Sequence, residues 1–335
     1  MTQLSLIENE SLKPTEKVGA NWENDCSFDN HMKSLFPYYG GKFNELKDIL
    51  PIMKEHLDSF DIVVDVFGGS GKVLLNVPEE WRKMKIYNDL DKDLYKTFGV
   101  LQDPEKRFQL SEKLRMAFQH YDVFQEMKHS AFESDVDTAF KVIYLQTYSF
   151  MGDGTTFGRY FKGYKRKRFR LEDFVYVKDW IVENKDFREL MDKYDKPRVF
   201  FYLDPPYLSS GKKYRNKFTM QDLKDLRNKM DSHQGSYLLN LSTFDSGMEK
   251  IFGNPNKTID YANFFTEIGK KRWECGYWWK FAHPYTNLGS YKAMNITECV
   301  RDTDTAQNVP ETLTIQASPE QIPVSMRENL GEDKK

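Results

Sequence analysis

Four short apolar runs, each ending in polar or turn-forming residues, form the clearest pattern along the chain. They cover residues 62–67, 85–89, 199–204 and 237–242. Because both faces of each run are largely apolar, the runs are typical of central strands in a parallel sheet covered by helices. Helical patterns lie between and around them, over 44–58, 105–129, 136–150, 180–194 and 219–232. Thr219, followed by Asp222, predicts the cap of the last helix. The alternation predicts an open α/β sheet.

One long segment interrupts this alternation. From 91 to 195 the pattern is mostly helical, with a glycine-rich and basic stretch at 152–168. We interpret 91–195 as a module inserted into a domain formed by 31–90 and 196–301. Residues 1–30 are polar, and 302–335 contain three prolines and no aromatic residue. We expect these ends to be a flexible N-terminal segment and a disordered tail.

Composition and charge exclude several classes of protein. The 335 residues contain 49 Lys and Arg against 51 Asp and Glu, so affinity for nucleic acid must come from local patches. The absence of an apolar run of about 20 residues argues against a membrane span, and the polar N-terminus does not resemble a secretory signal. Three scattered cysteines and six histidines without paired spacing indicate neither a disulfide framework nor a metal site. We expect a cytoplasmic protein that uses no metal.

A glycine-rich turn at 68–71 follows the first predicted strand. It is not a phosphate-binding P-loop, because Val66 stands where that motif requires its first glycine. It departs from the dinucleotide-binding fingerprint as well, since Leu74 occupies the third glycine position. Asp65 precedes the turn, and its carboxylate would repel a pyrophosphate. The acid suits a cofactor with positive charge, such as the sulfonium and α-ammonium of S-adenosylmethionine, and the glycines allow close approach of the backbone.

A second acid, Asp89, follows Asp65 by 24 residues at the end of the second predicted strand. An open α/β sheet places at this position a carboxylate that accepts hydrogen bonds from ribose hydroxyls. Taken alone, the glycines could form a simple strand-to-helix turn, and Asp89 could lie in a surface turn or cap a helix. The spacing of the pair favours a nucleoside cofactor.

The third predicted strand ends in Asp204, Pro205, Pro206 and Tyr207. A plain turn is the alternative, because Asp and Pro both favour turns. An exocyclic amine of a nucleobase is a poor nucleophile, since its lone pair is delocalised into the ring. A carboxylate and a rigid backbone carbonyl that accept the two amine hydrogens would make the lone pair available to an electrophilic methyl group. Tyr207 could stack on a base flipped out of the duplex.

These motifs resemble those of a known family. Residues 204–207 look like the catalytic motif of amino-methyltransferases that act on DNA, and 36–42 resemble the N-terminal cofactor motif of the Dam-like adenine methyltransferases. Residues 65–71 resemble the family's first glycine motif, and Asp89 its ribose-binding acid. The interval of 115 residues between Asp89 and Asp204 has room for a target-recognition module, an order similar to that of the α group. The resemblance covers about 34–300.

The resemblance implies a Rossmann-like methyltransferase sheet with a mostly helical target-recognition insertion at 91–195. It implies an S-adenosylmethionine site and a catalytic site. The implied cofactor residues are Tyr38, Lys42, Asp65, Phe67, Gly69, Gly71, Asp89 and Asp204, and the implied catalytic residues are Asp204, Pro205, Pro206 and Tyr207. Tyr38 could instead be a core aromatic residue, and Lys42 could be a solvated residue at a helix start. Residues 150–165 resemble the family's recognition hairpin only loosely, which leaves the recognised DNA sequence open.

Two basic clusters are candidate DNA contacts. One lies within the predicted insertion and the other follows the catalytic motif. Their members are Arg159, Lys162, Lys165, Arg166, Lys167, Arg168, Lys212, Lys213 and Arg215. Basic residues neutralise phosphates, and the aromatic residues interleaved in the first cluster could wedge at an opened base step. A solvated basic loop is the alternative for that cluster.

The sequence therefore predicts a DNA methyltransferase that transfers a methyl group from S-adenosylmethionine to N6 of a flipped adenine. Alternative acceptors are cytosine N4 and adenine in RNA, and a non-catalytic DNA-binding protein of the same fold is a further alternative. The expected partner is double-stranded DNA, without membrane or metal, and a cognate restriction nuclease is a candidate partner. Phage, restriction–modification and solitary origins, and different oligomeric states, all stay open.

Overall fold

A computed structural model describes residues 33–42, 44–158, 176–208, 218–242, 248–266 and 269–282. The described strands are β1 (Ile62–Asp65), β2 (Met84–Asn88), β3 (Ile181–Glu183), β4 (Val199–Leu203), β5 (Ser236–Ser242), β6 (Lys257–Thr266) and β7 (Gly269–Lys280). The described helices are α1 (Leu46–Lys54), α2 (Lys72–Asn76), α3 (Lys92–Gln102), α4 (Pro104–Met116), α5 (Tyr121–His129), α6 (Asp135–Tyr148), α7 (Phe187–Lys193), α8 (Met220–Ser232) and α9 (Met248–Phe252).

The described strands form one sheet in the order β3-β2-β1-β4-β5-β7-β6. The first five strands are parallel, whereas β7 runs antiparallel between β5 and β6. The chain leaves β1 toward β2 and β3 on one side, and then returns to β4 and β5 on the other. Open sheets bind ligands at such a switch point, outside the carboxyl ends of the strands. The expected open α/β sheet is confirmed.

Apolar residues cover both faces of the central strands, as the sequence pattern predicts. On β1, Val63 packs into the hydrophobic cluster on one face of the sheet and Val64 into the cluster on the other face. On β4, Phe200 and Phe201 divide in the same way. Since side chains alternate across a strand, each run must be apolar throughout to support two helical layers.

The helices agree with the sequence pattern in part. Thr219 caps α8 as predicted, because its backbone N–H donates to Oδ2 of Asp222 at 2.7 Å and its hydroxyl accepts from the N–H of Asp222 at 3.2 Å. The single helix predicted over 105–129 is wrong, since α4 and α5 are separate helices. The helix predicted over 180–194 is wrong at its beginning, where the chain forms β3.

Parts of 91–195 belong to the layers of the sheet. β3 pairs with β2, and Phe98 of α3 stacks on Tyr87 of β2 with ring centroids 3.9 Å apart. Leu114 of α4 and Ile143 of α6 also belong to the hydrophobic cluster on one face of the sheet, so these helices pack onto the sheet as well. The assignment of a target-recognition module stays a prediction. None of the helices in the described ranges combines the length and the apolar character that a membrane-spanning helix needs.

Candidate active site

A cavity of about 400 Å³ opens at the carboxyl ends of β1, β2, β3 and β4. Its size lies within the range of pockets that hold small organic ligands. The predicted site residues that line it are Tyr38, Lys42, Asp65, Phe67, Gly69, Asp89, Asp204 and Pro206. Gly71, Pro205 and Tyr207 are next to these residues in sequence but do not line the cavity. The structure thus brings the sequence motifs together at one site.

The glycine turn forms one wall of the cavity. Gly69 and Gly71 have φ angles of +52° and +67°, in the left-handed region that favours glycine. A Cβ atom at Gly69 would lie 2.9 Å from the ring of Tyr38, and one at Gly71 would lie 2.9 Å from the ring of Phe98. Gly69 thus permits contact with the 38–42 segment, whereas Gly71 serves the turn and its packing.

Asp89 holds the glycine turn against the end of β2. Its Oδ2 accepts from the backbone N–H of Gly69 at 2.9 Å, and its Oδ1 accepts from the N–H of Asp91 at 2.8 Å. Burial raises the pKa of Asp89 to about 6, against the lowering effect of these two N–H groups. The carboxylate remains at the cavity wall with acceptor capacity to spare, because each oxygen can accept a second hydrogen bond.

Asp65 is an acid without a full set of partners. It is only 2% exposed, and its Oδ1 atom has no hydrogen-bond partner among the described residues. Burial and the neighbouring carboxylates of Asp204 and Asp89 raise its pKa well above the ordinary value. A buried carboxylate oxygen at a cavity wall is suited to a cationic ligand, which would supply both a hydrogen-bond donor and the missing charge.

Asp204 forms a buried ion pair with Lys42. The Lys42 Nζ atom lies 2.7 Å from Oδ1 of Asp204, and it donates to the hydroxyl of Tyr207 at 3.0 Å and the carbonyl of Gly40 at 3.1 Å. Burial raises the pKa of Asp204 to about 6 even though the ammonium lowers it. Burial, the largest single effect, lowers the pKa of Lys42, but the charges of Asp204, Tyr207, Tyr202 and Glu45 together raise it well above the ordinary value. Lys42 is therefore not the solvated residue that the alternative interpretation assumed.

The hydroxyl group of Tyr207 makes hydrogen bonds with two side chains. It is 5% exposed, and its hydroxyl donates to Oδ1 of Asn240 at 3.4 Å while accepting from Lys42. Asn240 lies on β5, next to β4 in the sheet. These contacts fix the hydroxyl end of Tyr207, and stacking of its ring on a base stays a prediction.

Several cavity residues were not identified from the sequence. Asp186 and Phe187 line the cavity after β3, and Phe218 lies beside them with its ring centroid 5.7 Å from that of Phe67. Arg188 holds Asp186 through contacts of 3.2 Å. These residues follow the three-residue strand β3, and the sequence pattern at this position predicts a helix instead of a strand.

Lys72 and the helical wall were also missed. Lys72 begins α2, is 9% exposed and lines the cavity. The wall contributed by α5, α6 and the loop after them contains Lys128, Lys141, Leu145, Gln146, Asp153, Gly154 and Thr155. Polar residues of these helices and of the loop therefore face the same cavity as the glycine turn.

The nine predicted DNA-contact residues lie outside the described residues, in 159–175 and 209–217. Their roles stay predictions. Among the described residues, no group of three or more His, Cys, Asp or Glu side chains is placed to hold a metal ion.

Comparison with known families decides the activity. Residues 38–252 match the D12 class of N6 adenine-specific DNA methyltransferases, a range that includes the glycine turn, Asp89 and the 204–207 motif. The chain belongs to this family. The prediction of an adenine-specific DNA methyltransferase is thereby confirmed, and the cytosine, RNA and non-catalytic alternatives are disfavoured. As a D12 methyltransferase, the chain acts on DNA and requires a methyl donor.

Individual relatives are distant. The chain is 22% identical over 191 residues to the type II methyltransferase M.CviBI of Paramecium bursaria Chlorella virus NC1A, across 52% of this chain and 69% of that protein. It is 26% identical over 214 residues to the modification methylase StsI of Streptococcus sanguinis, across 57% of this chain but only 31% of that protein. A solved structure of the putative methyltransferase yhhF from Escherichia coli aligns with 10% identity and a TM-score of 0.31, over 74% of this chain and 92% of that chain.

Proposed function

We propose that this D12 methyltransferase uses S-adenosylmethionine to methylate N6 of an adenine that is flipped out of double-stranded DNA into the cavity. The observation that carries the proposal is the convergence of Asp65, Asp89 and Asp204 on one cavity of about 400 Å³. Three carboxylates suit a cationic nucleoside and oppose a phosphorylated one. The Oδ1 atom of Asp65, which has no hydrogen-bond partner within the described ranges, supports the same ligand chemistry.

Two of these acids have distinct places around such a donor. Asp65 would accept from the α-ammonium, and Asp89 would accept from the ribose hydroxyls. One part of the wall is suited to the adenine ring of the donor. It consists of two aromatic side chains, Phe67 and Phe187, beside one polar acceptor, Asp186. When bound, S-adenosylmethionine supplies an electrophilic methyl group on its sulfonium.

The catalytic motif acts on the amine of the target adenine. Asp204 and the carbonyl of Pro205 would each accept one amine hydrogen, which draws the nitrogen lone pair out of the ring. Lys42 favours the ionised form of Asp204, so that the carboxylate is an acceptor at neutral pH. The proline peptide fixes the direction of the carbonyl before the substrate arrives. The surplus amine proton then passes to Asp204 or to solvent.

Affinity for DNA would come from the basic clusters at 159–168 and 212–215. Residues 91–195 are the candidate target-recognition module, and the part of them that supports this role is the cavity wall contributed by α5, α6 and the loop at 153–155. M.CviBI and StsI are named as a type II methyltransferase and a modification methylase. By analogy, a restriction–modification role with a cognate nuclease is the favoured context for this chain.

The decisive experiment incubates the purified protein with S-adenosylmethionine and unmethylated genomic DNA, followed by mass spectrometry of the nucleosides. We expect N6-methyladenine to accumulate. A parallel reaction without S-adenosylmethionine controls for methylation already present in the DNA. A rise in N4-methylcytosine alone would overturn the base assignment. No modified nucleoside, combined with no binding of S-adenosylmethionine in calorimetry, would overturn the cofactor assignment.

A further inference from the structure

Lys72 has a place at the cavity that the mechanism above does not use. It is buried at 9% exposure, and its backbone is fixed because its carbonyl accepts from Nδ2 of Asn76 at 2.7 Å. The ideal Cβ position of Gly41 is only 2.4 Å from the Nζ atom of Lys72. The ammonium group of Lys72 therefore lies against the backbone of the 38–42 segment, at the end of the cavity that contains Lys42.

The lysines around the cavity occupy different places. Lys42 is committed to Asp204 in a contact of 2.7 Å. Lys185 follows β3 on the Asp89 side and pairs with Glu189. Lys128 and Lys141 come from the helical wall. Lys72 follows the glycine turn that begins after Asp65, so that one acid and one ammonium flank the same turn.

This arrangement matches a zwitterion. An amino-acid group carries an α-ammonium and an α-carboxylate on one carbon atom, and the two need partners of opposite charge. Asp65, whose Oδ1 accepts no hydrogen bond from the part of the chain that the structure describes, provides the acid for the α-ammonium. Lys72 provides a buried ammonium at the same turn. A hydrogen bond between an ammonium and a carboxylate is shorter and stronger than one between neutral groups.

We infer that Lys72 binds the α-carboxylate of the methionine tail of S-adenosylmethionine and thereby selects a donor with an intact amino acid. The inference rests on the proposed cofactor. It adds that the cavity recognises the tail through a charge pair, Asp65 for the ammonium and Lys72 for the carboxylate. A nucleoside lacking the carboxylate would lose the Lys72 contact and keep the contacts of its adenosine part.

The test measures binding by isothermal titration calorimetry with three probes. They are S-adenosylmethionine, decarboxylated S-adenosylmethionine, which keeps the ammonium, and 5′-methylthioadenosine, which lacks the whole tail. Lys72→Met should lower the affinity for S-adenosylmethionine by about 10- to 100-fold, which is the range expected for one hydrogen bond between charged groups. The affinities for the other two probes should change by less than about threefold, because neither probe has the carboxylate. Wild-type protein should prefer S-adenosylmethionine over the decarboxylated probe by a similar factor.

Two further variants keep the result interpretable. Lys92→Met removes one exposed positive charge that does not line the cavity, and it should leave all three affinities unchanged. Lys72→Arg keeps the charge and should retain most of the preference for S-adenosylmethionine. Binding of 5′-methylthioadenosine by Lys72→Met shows that the variant is folded.

Failure of the inference and failure of the proposed function look different. The inference is overturned if Lys72→Met lowers the affinity for all three probes equally, or if it leaves the affinity for S-adenosylmethionine unchanged. It is also overturned if wild-type protein binds the decarboxylated probe as tightly as the intact donor. If wild-type protein binds none of the three probes, the cofactor assignment itself fails and the role of Lys72 fails with it.

Discussion

The ion pair between Lys42 and Asp204 allows a prediction about pH. Lys42→Met keeps the approximate length of the side chain and its apolar stem but removes the ammonium. In the wild type this ammonium lies 2.7 Å from the Asp204 carboxylate, and the side chains of Lys42 and Asp204 are 5% and 15% exposed. The pKa of Asp204 is already raised to about 6 by burial, and Lys42 is what limits the rise. Removal of Lys42 should therefore raise the pKa of Asp204 further.

The size of the shift follows from the geometry. At 2.7 Å, the Coulomb energy of the pair is about 6 kcal/mol for an effective dielectric constant of about 20. Hydrogen bonds that involve charged groups contribute a smaller net amount, about 1.5–3 kcal/mol, because desolvation opposes the attraction. That range corresponds to about one to two pKa units. An acid with a pKa of about 8 is only about one-tenth ionised at pH 7, so activity there should fall by about two- to tenfold.

The assay is the pH profile of kcat/KM for methyl transfer to DNA, measured between about pH 5 and pH 9. The ionised carboxylate is the active form, so wild-type activity should be present above the pKa of Asp204 and lost as the pH falls through about 6. Lys42→Met should move this acid limb upward and recover much of its activity near pH 9. Lys185→Met, which removes another cavity lysine, should leave the acid limb in place. An acid limb of Lys42→Met that coincides with the wild type, or a loss of activity that is equal at every pH, would refute the reasoning.

Four further predictions follow from the site and its surroundings. Asp204→Ala should abolish methylation in the nucleoside assay while leaving most DNA binding intact, and near-normal turnover would contradict the mechanism. Asp65→Asn should raise the Tm of the ligand-free protein at pH 7, because a buried carboxylate with a raised pKa costs stability as the pH rises. The same substitution should lower the affinity for S-adenosylmethionine in calorimetry. Gly71→Ala should lower the unfolding free energy by about 1–3 kcal/mol in urea, since its φ is +67° and Phe98 is 2.9 Å from the new Cβ. Neutralising 165–168 should weaken all DNA binding and reduce its salt dependence, and an unchanged salt slope would argue against phosphate contacts.

The features that could be predicted from the sequence are local in origin. Val63 and Val64 belong to an apolar run bounded by turns, so the strand and its burial on both faces follow from neighbouring residues. Asp65, Asp89 and Asp204 lie at or directly after the ends of β1, β2 and β4, and the carboxyl ends of parallel strands meet at one edge of the sheet. The family resemblance also implied that the three acids share one site. The structure places all three acids at the cavity.

The features that were missed depend on contacts across long stretches of chain. β3 is three residues long, too short for its periodicity to be distinguished from that of the helix beside it, and Asp186 was missed with it. The hairpin of β6 and β7 was missed because its strands lack the uniformly apolar runs of the central strands. The contact between Lys42 and Tyr207 joins residues 165 positions apart, and no local pattern records it.

The central position of β1 has a consequence for synthesis on the ribosome. On one side β1 pairs with β2, which begins at Met84, soon after β1 ends at Asp65. On its other side β1 pairs with β4, which begins only at Val199 and is therefore translated much later. Until β4 emerges, one edge of β1 is an unpaired template for other strands. Helices α3 to α6 contact one another locally and can form during this interval. Co-translational folding should therefore begin with these helices, and the acids of the cavity come together only after the nascent chain has passed Asp204.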